Sequence, residues 1–96
     1  MNENSTQARR TVTIVNRRGL HARASARFVG AVSALPDSVE VSVTKDGNTA
    51  SGGSILGLMM LGAAKGDTVE LIVAGENAGD VLDDLAALVE NGFGEE

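Results

Sequence analysis

The single histidine of the chain lies in the segment best suited to chemistry, Gly19-Leu20-His21-Ala22-Arg23. This segment joins a predicted strand to a predicted helix, so His21 falls at the start of the helix. Backbone N–H groups there have no partner inside the helix, and the helix dipole is positive at this end. Arg23 lies in the first turn, and Arg17 and Arg18 approach from the preceding loop. The pattern predicts a site that accepts an anion.

An imidazole in this environment is suited to carrying a phosphoryl group. A neutral ring keeps one nitrogen free to act as a nucleophile near neutral pH. The phosphorylated ring would gain from the free amides and from the charge of Arg23, and Gly19 would let the backbone turn tightly just before the site. The alternative interpretation is that His21 is only a polar cap of the helix.

The second informative segment is Ser54-Ile55-Leu56-Gly57-Leu58-Met59-Met60-Leu61. Helical spacing puts Leu58 and Leu61 on one stripe, which a short helix on a sheet can bury. The remaining apolar side chains cannot all point the same way, so part of the helix should be exposed and mark an interaction surface. The alternative is a core helix enclosed on all sides. Ser54 itself is predicted to be the N-cap of this helix.

Hydrophobic periodicity predicts the elements that hold both segments. Strands are predicted at 11–15, 39–44, 48–51 and 68–74, and helices at 22–35, 54–63 and 78–89. Asp46-Gly47 predicts a hairpin because both turn positions need positive φ, and Asn77 with Asp80 resembles a capping box. The order β-α-β-β-α-β-α predicts an α+β fold, an open-faced sandwich with three helices on one face of a four-stranded antiparallel sheet.

The domain organisation follows from a length of 96 residues, which suits a single domain. We expect residues 1–9 to be a disordered tail, residues 10–92 to form the domain and residues 93–96 to fray. Charge is distributed unevenly: residues 1–30 hold six Arg and one acid, whereas residues 31–96 hold two Lys and twelve acids. The basic N-terminal third suggests a local site that meets anions or an acidic partner, although a solvated face would also explain it.

Several function classes are disfavoured by composition. The chain has no cysteine and one histidine, so we expect no metal site and no cofactor. The net charge of −5 and the near absence of aromatic residues argue against nucleic-acid binding. Asp83 and Asp84 are adjacent on a helix and do not converge as a catalytic carboxylate pair. No apolar run approaches the roughly 20 residues of a membrane span, and the N-terminus lacks a secretory signal, so we expect a cytoplasmic protein without membrane insertion.

The two segments together resemble a known family. Gly19-Leu20-His21-Ala22-Arg23, followed downstream by Ser54-Ile55-Leu56-Gly57-Leu58-Met59-Met60-Leu61-Gly62, is similar to HPr, the family of histidine-containing phosphocarriers of the bacterial phosphoenolpyruvate-dependent phosphotransferase system. The resemblance runs from about Arg10 to about Val89, and the combination of both motifs in this element order is specific.

The resemblance implies a relay in which enzyme I passes a phosphoryl group to Nδ1 of His21, and the chain then passes it to an EIIA-type protein. It implies that Arg23 stabilises the phosphoryl group and that an HPr kinase/phosphorylase can modify Ser54. The residues implied to bind partners are Leu20, Ile55, Leu56, Met59 and Met60. The relay would serve sugar uptake or a nitrogen-type regulatory pathway, through a monomeric carrier rather than an enzyme with its own turnover.

One position departs from the family pattern. Ala24 stands where the family usually has proline directly after the active-site arginine. Because proline fixes φ in the first helical turn, alanine there predicts a slightly looser turn without loss of function. The competing hypothesis for the whole chain is a small regulatory module that senses an anion or binds a protein without phosphotransfer.

Overall fold

Strands and helices follow one another in the predicted order in the structure, a computed structural model that describes residues 7–95. The elements are β1 (Gln7–Thr13), α1 (Ala22–Ser33), β2 (Glu40–Lys45), β3 (Asn48–Ser51), α2 (Ile55–Met60), β4 (Thr68–Ala74) and α3 (Ala78–Glu90). A turn of 3-10 helix, Gly92–Gly94, follows α3.

The four strands form one antiparallel sheet in the spatial order β1-β4-β2-β3. Side chains alternate along the two central strands, so Val41 and Val43 of β2 and Leu71 and Val73 of β4 are buried. The buried face packs against the helices, where Phe28 of α1 joins the same core. This arrangement confirms the predicted α+β open-faced sandwich.

The hairpin between β2 and β3 turns at the predicted dipeptide. Asp46 has φ of 51° and Gly47 has φ of 85°, and Lys45 pairs with Asn48 across the turn. Both turn residues therefore adopt the positive φ that a tight hairpin of this kind requires.

The ends of the described chain differ from the prediction. β1 begins at Gln7, because its backbone pairs with β4 as far as Ala74, so residues 7–9 belong to the sheet and not to a tail. Phe93 is fully buried in the core, so the segment after α3 packs against the domain instead of fraying from residue 93. Residues 1–6 of the expected tail, and residue 96, lie outside the described residues.

The predicted capping box at the start of α3 is wrong. Asn77 precedes the helix with φ of 59°, in the left-handed region, and its side chain makes no capping hydrogen bond. Asparagine tolerates this conformation better than most residues. The chain thus enters α3 through a left-handed turn, with Asp80 in the first turn favourably placed for the helix dipole.

Candidate functional site

The loop between β1 and α1 is held against the loop that follows α2. Gly19 has φ of 65°, and a Cβ atom on it would lie 2.3 Å from the carbonyl oxygen of Ala63. The next residue, Leu20, donates its backbone N–H to that same oxygen at 3.0 Å. Only glycine allows both the left-handed turn and this close approach, which explains the tight turn expected at Gly19.

His21 is the N-cap of α1, and its backbone is extended where the helix begins. Its Nδ1 accepts a hydrogen bond from the backbone N–H of Arg23 at 3.3 Å, and its carbonyl oxygen accepts the N–H of Ser25 at 2.9 Å. The polar cap that was the alternative interpretation of His21 is therefore present in the structure. It also brings a ring nitrogen to the positive end of a 12-residue helix.

The other ring nitrogen meets an acid that sequence reasoning missed. Nε2 of His21 lies 2.8 Å from Oε2 of Glu95, and Asn16 donates from Nδ2 to Oε1 of the same carboxylate at 3.1 Å. Asn16 also donates to the carbonyl oxygen of Gly19 at 2.8 Å. Glu95 was expected in a fraying tail, and no local pattern links it to His21. Asn16 lies at the start of the loop, but an asparagine there does not by itself predict a contact with a distant carboxylate.

The charge of Glu95 is stabilised by this environment. Burial acts to raise the pKa of Glu95, but hydrogen bonds from Asn16 and His21 and the positive charge of Arg23 outweigh it, so the pKa lies below its usual value. The carboxylate is consequently ionised at neutral pH.

Arginines lie beside His21, as the sequence predicted. Arg17, Arg18 and Arg23 line the same surface depression as His21 and Glu95. Arg27 lines it as well and donates from Nη1 to the carbonyl oxygen of Phe93 at 2.6 Å. Arg27 was missed, although its position four residues after Arg23 places both on one face of α1. The depression is open to solvent and strongly basic, which suits an anionic group.

The helix α2 exposes most of its apolar residues, as predicted. Leu58 is fully buried, whereas the exposed fractions are 40% for Ile55, 67% for Leu56, 40% for Met59 and 77% for Met60. We call these four residues the α2 patch. Leu61, expected to share the buried stripe, is half-buried. The enclosed-helix alternative is therefore wrong, because one side of this six-residue helix has no covering element within residues 7–95.

Leu20 does not belong to that surface. Only 7% of the residue is exposed, and its side chain packs in the hydrophobic core. The prediction that Leu20 binds partners is corrected, because the turn at Gly19 directs this side chain inward while His21 stays at the surface.

Ser54 is the N-cap of α2, as predicted. Its Oγ accepts a hydrogen bond from the backbone N–H of Gly57 at 2.9 Å. A Cβ atom on Gly57 would lie 3.0 Å from that oxygen, so glycine keeps the space around the hydroxyl group open. The hydroxyl is half-buried and adjoins the first residue of the α2 patch.

Among residues 7–95, no group of three or more His, Cys, Asp or Glu side chains is placed to hold a metal ion. Within the same range, every helix is too short or too polar to span a bilayer.

Comparison with known proteins identifies the family. The family model described as "PTS HPr component phosphorylation site" matches residues 8–91. The chain is 44% identical over 86 residues to the phosphocarrier protein HPr of Pseudomonas putida, covering 90% of this chain and 94% of that protein. It is 39% identical over 90 residues to the phosphocarrier protein NPr of Shewanella violacea, covering 94% of this chain and 97% of that one.

The fold comparison agrees with the sequence comparison. The crystal structure of HPr-C-His from Thermoanaerobacter tengcongensis matches with a TM-score of 0.84 at 37% identity, covering 93% of this chain and 98% of that chain. A match that spans nearly the whole domain in both sequence and structure leaves one conclusion: the chain belongs to the HPr family of phosphocarrier proteins of the phosphotransferase system.

Proposed function

We propose that this protein accepts a phosphoryl group on Nδ1 of His21 from phospho-enzyme I and passes it to an EIIA-type protein. The observation that carries the proposal is the placement of Nδ1 at the N-terminus of α1, beside a depression lined by arginines. The backbone N–H of Arg23 now donates to Nδ1, and the same donor would serve an oxygen of the phosphoryl group once Nδ1 is modified.

The arginine side chains supply the remaining charge. A phosphoryl group carries close to two negative charges near neutral pH, and an arginine fork binds such oxygens in pairs. Arg23 is exposed at the edge of the depression, where its guanidinium group is free to follow the group in transit. In this proposal the protein is a carrier and its partners supply most of the catalysis. The partners determine whether the relay serves sugar uptake or nitrogen-type regulation.

The α2 patch is the proposed docking surface for both partners. Its four side chains are apolar and exposed, and the loop that follows α2 contacts the His21 loop through Ala63. Exposed apolar surface of this kind is typical of protein interfaces, and methionine side chains adapt to partners of different shape. A single carrier that must meet a donor and an acceptor in turn needs such a surface.

Ser54 is the proposed regulatory site, modified by an HPr kinase/phosphorylase. Its phosphate would stand at the edge of the α2 patch and would have to be desolvated when a partner docks. The Ser54→Asp variant should therefore be phosphorylated more slowly by enzyme I while its circular dichroism stays unchanged. Incubation with ATP and extract of the source organism, followed by mapping of acid-stable phosphate, tests whether Ser54 is modified. Absence of label would leave the residue as a cap alone.

The central experiment incubates the purified protein with enzyme I and phosphoenolpyruvate. The proposal expects an acid-labile phosphoryl group on His21 and its transfer to an added EIIA-type protein. His21→Ala should abolish labelling at little cost in stability, about 1 kcal/mol for a lost cap. A protein that binds inorganic phosphate but takes no label would instead be an anion-sensing module. Label retained in His21→Ala would place the acceptor elsewhere.

A further inference from the structure

We infer that Glu95, held by Asn16, is a positioning residue that keeps the proton of His21 on Nε2 and so leaves the lone pair on Nδ1. The inference rests on the proposed function of His21, since it concerns which nitrogen of that ring can react. Three hydrogen bonds support the inference. One is made at each ring nitrogen of His21, and the third joins the amide of Asn16 to the carboxylate of Glu95.

The tautomer follows from what each partner can do. A backbone N–H can only donate, so Nδ1 of His21 must accept from Arg23 and carries a lone pair. In a neutral imidazole the proton then belongs to Nε2, which donates it to the ionised Glu95 at 2.8 Å. Both ring nitrogens are thus satisfied by one tautomer only.

Asn16 determines where the carboxylate lies. The residue is 5% exposed, and its amide nitrogen donates two hydrogen bonds, one to the carbonyl oxygen of Gly19 and one to the carboxylate of Glu95. Rotating the amide would turn its oxygen toward two acceptors, so the observed orientation is the one that satisfies these groups. Phe93, two residues before Glu95, is anchored in the core and brings the carboxylate back to the loop.

No proton enters or leaves the site during the transfer step. The lone pair of Nδ1 forms a bond to phosphorus, and the bond from phosphorus to the donor breaks with its electron pair remaining on the donor. The proton stays on Nε2, so the phosphorylated ring is cationic and faces the negative charge of Glu95. In the onward step the P–N bond breaks and its electron pair returns to Nδ1. The ring then leaves as neutral imidazole, a better leaving group than the imidazolate anion.

Exchanging the carboxylate for an amide should move the proton. In Glu95→Gln, Asn16 still donates to an oxygen, so the new NH2 group faces Nε2 and donates to it. This donation to Nε2 favours the tautomer that carries its proton on Nδ1, at the cost of the long 3.3 Å hydrogen bond from the backbone N–H of Arg23, as expected when an amide replaces the carboxylate that orients a histidine. Glu95→Ala removes the contribution of the carboxylate and leaves only the hydrogen bond from the backbone N–H of Arg23 to favour the Nε2–H tautomer. Glu90→Gln, at the exposed last residue of α3, is the matched control for the loss of one charge.

The experiment measures the ¹⁵N shifts of the imidazole at a pH where the ring is neutral, together with the rate of phosphorylation by enzyme I. Wild type and Glu90→Gln should show the Nε2–H tautomer. Glu95→Gln should show a majority of Nδ1–H and a rate lowered about tenfold to a hundredfold. An unchanged tautomer or an unchanged rate in Glu95→Gln would overturn the inference.

The two readouts separate this inference from the proposed function. A wild-type protein that takes no phosphoryl group would overturn the function, while the tautomers of the variants would still test the contact between Glu95 and His21. Efficient labelling of the wild type with equal rates for Glu95→Gln would overturn only the role of Glu95.

Discussion

The His21 site and the α2 patch lie close together but are built in different ways. The site combines residues from the β1–α1 loop, from α1 and from the segment after α3, joined by hydrogen bonds between residues as far apart as Asn16 and Glu95. The patch consists of side chains from one helix of six residues that share no polar contact. Chemistry on a ring nitrogen needs fixed geometry, whereas docking of successive partners needs accessible and adaptable surface.

This contrast predicts that changes in the site alter the rate of transfer and that changes in the patch alter affinity. After the loss of labelling in His21→Ala, the largest expected effect is that of Arg23→Ala, which removes a charge that we propose stabilises the phosphoryl group in transit. Transfer from enzyme I and to the acceptor should slow on the order of a hundredfold. Rapid-quench kinetics measure both rates. Arg9→Ala, on the exposed face of β1, is the matched control, and equal rates for the two variants would make Arg23 an ordinary surface residue.

Gly19→Ala tests how far the geometry of the site depends on the close approach of Gly19 to Ala63. The new Cβ would collide with the carbonyl oxygen of Ala63, and alanine is strained at φ of 65°. We expect the free energy of unfolding to fall by about 2 kcal/mol. Chemical denaturation measures it. Gly30→Ala, in α1 with open space around its Cβ, should be neutral or stabilising. Equal stabilities for both variants would contradict the close approach of the two loops.

Met60→Asp tests whether the α2 patch binds partners. Met60 is 77% exposed, so a carboxylate there meets water in the free protein and an apolar surface in the complex. Affinity for enzyme I should fall about tenfold, with the melting temperature nearly unchanged. Isothermal titration calorimetry gives the affinity. Ala87→Asp places the same charge on the exposed side of α3 as a control. A destabilised Met60→Asp variant with normal affinity would show that the patch is structural.

The smallest expected effect is that of Ser54→Ala, which removes a cap but adds no charge. The hydrogen bond to Gly57 is lost, so the free energy of unfolding should fall by about 1 kcal/mol. The rate of phosphorylation at His21 should stay at the wild-type level. Ser33→Ala, at the exposed last residue of α1, is the control for stability. A slowed Ser54→Ala variant would mean that the hydroxyl itself contributes to transfer.

The parts of the molecule that follow from local patterns were predictable from the sequence. Alternation and helical spacing give the element order, the exposed face of α2 and the cap at Ser54, because neighbours within a few residues determine each. Asp46-Gly47 likewise specifies its own turn. The presence of His21 at a helix start among arginines needed no knowledge of distant residues.

The parts that depend on distant contacts were not predictable. Glu95 reaches His21 only because Phe93 is buried, and the sequence gives no sign that an aromatic residue after α3 returns to the core. The family resemblance implies that Leu20 binds partners, yet the turn at Gly19 directs its side chain into the core. Residue type and spacing predict a cap at Asn77, although its backbone conformation decides whether the side chain can cap.

The hydrogen bond from Leu20 to Ala63 has a consequence for the energetics of the relay. It joins the loop that carries His21 to the loop that leaves α2, so the proposed phosphoryl acceptor and the proposed docking helix are parts of one connected structure. Any coupling between the two is reciprocal by thermodynamic linkage. If a partner binds the phosphorylated carrier more tightly than the unphosphorylated carrier by some factor, its binding must stabilise the phosphohistidine by that same factor. A donor that prefers the unphosphorylated carrier would therefore release it readily after transfer, and an acceptor that prefers the phosphorylated carrier would capture it.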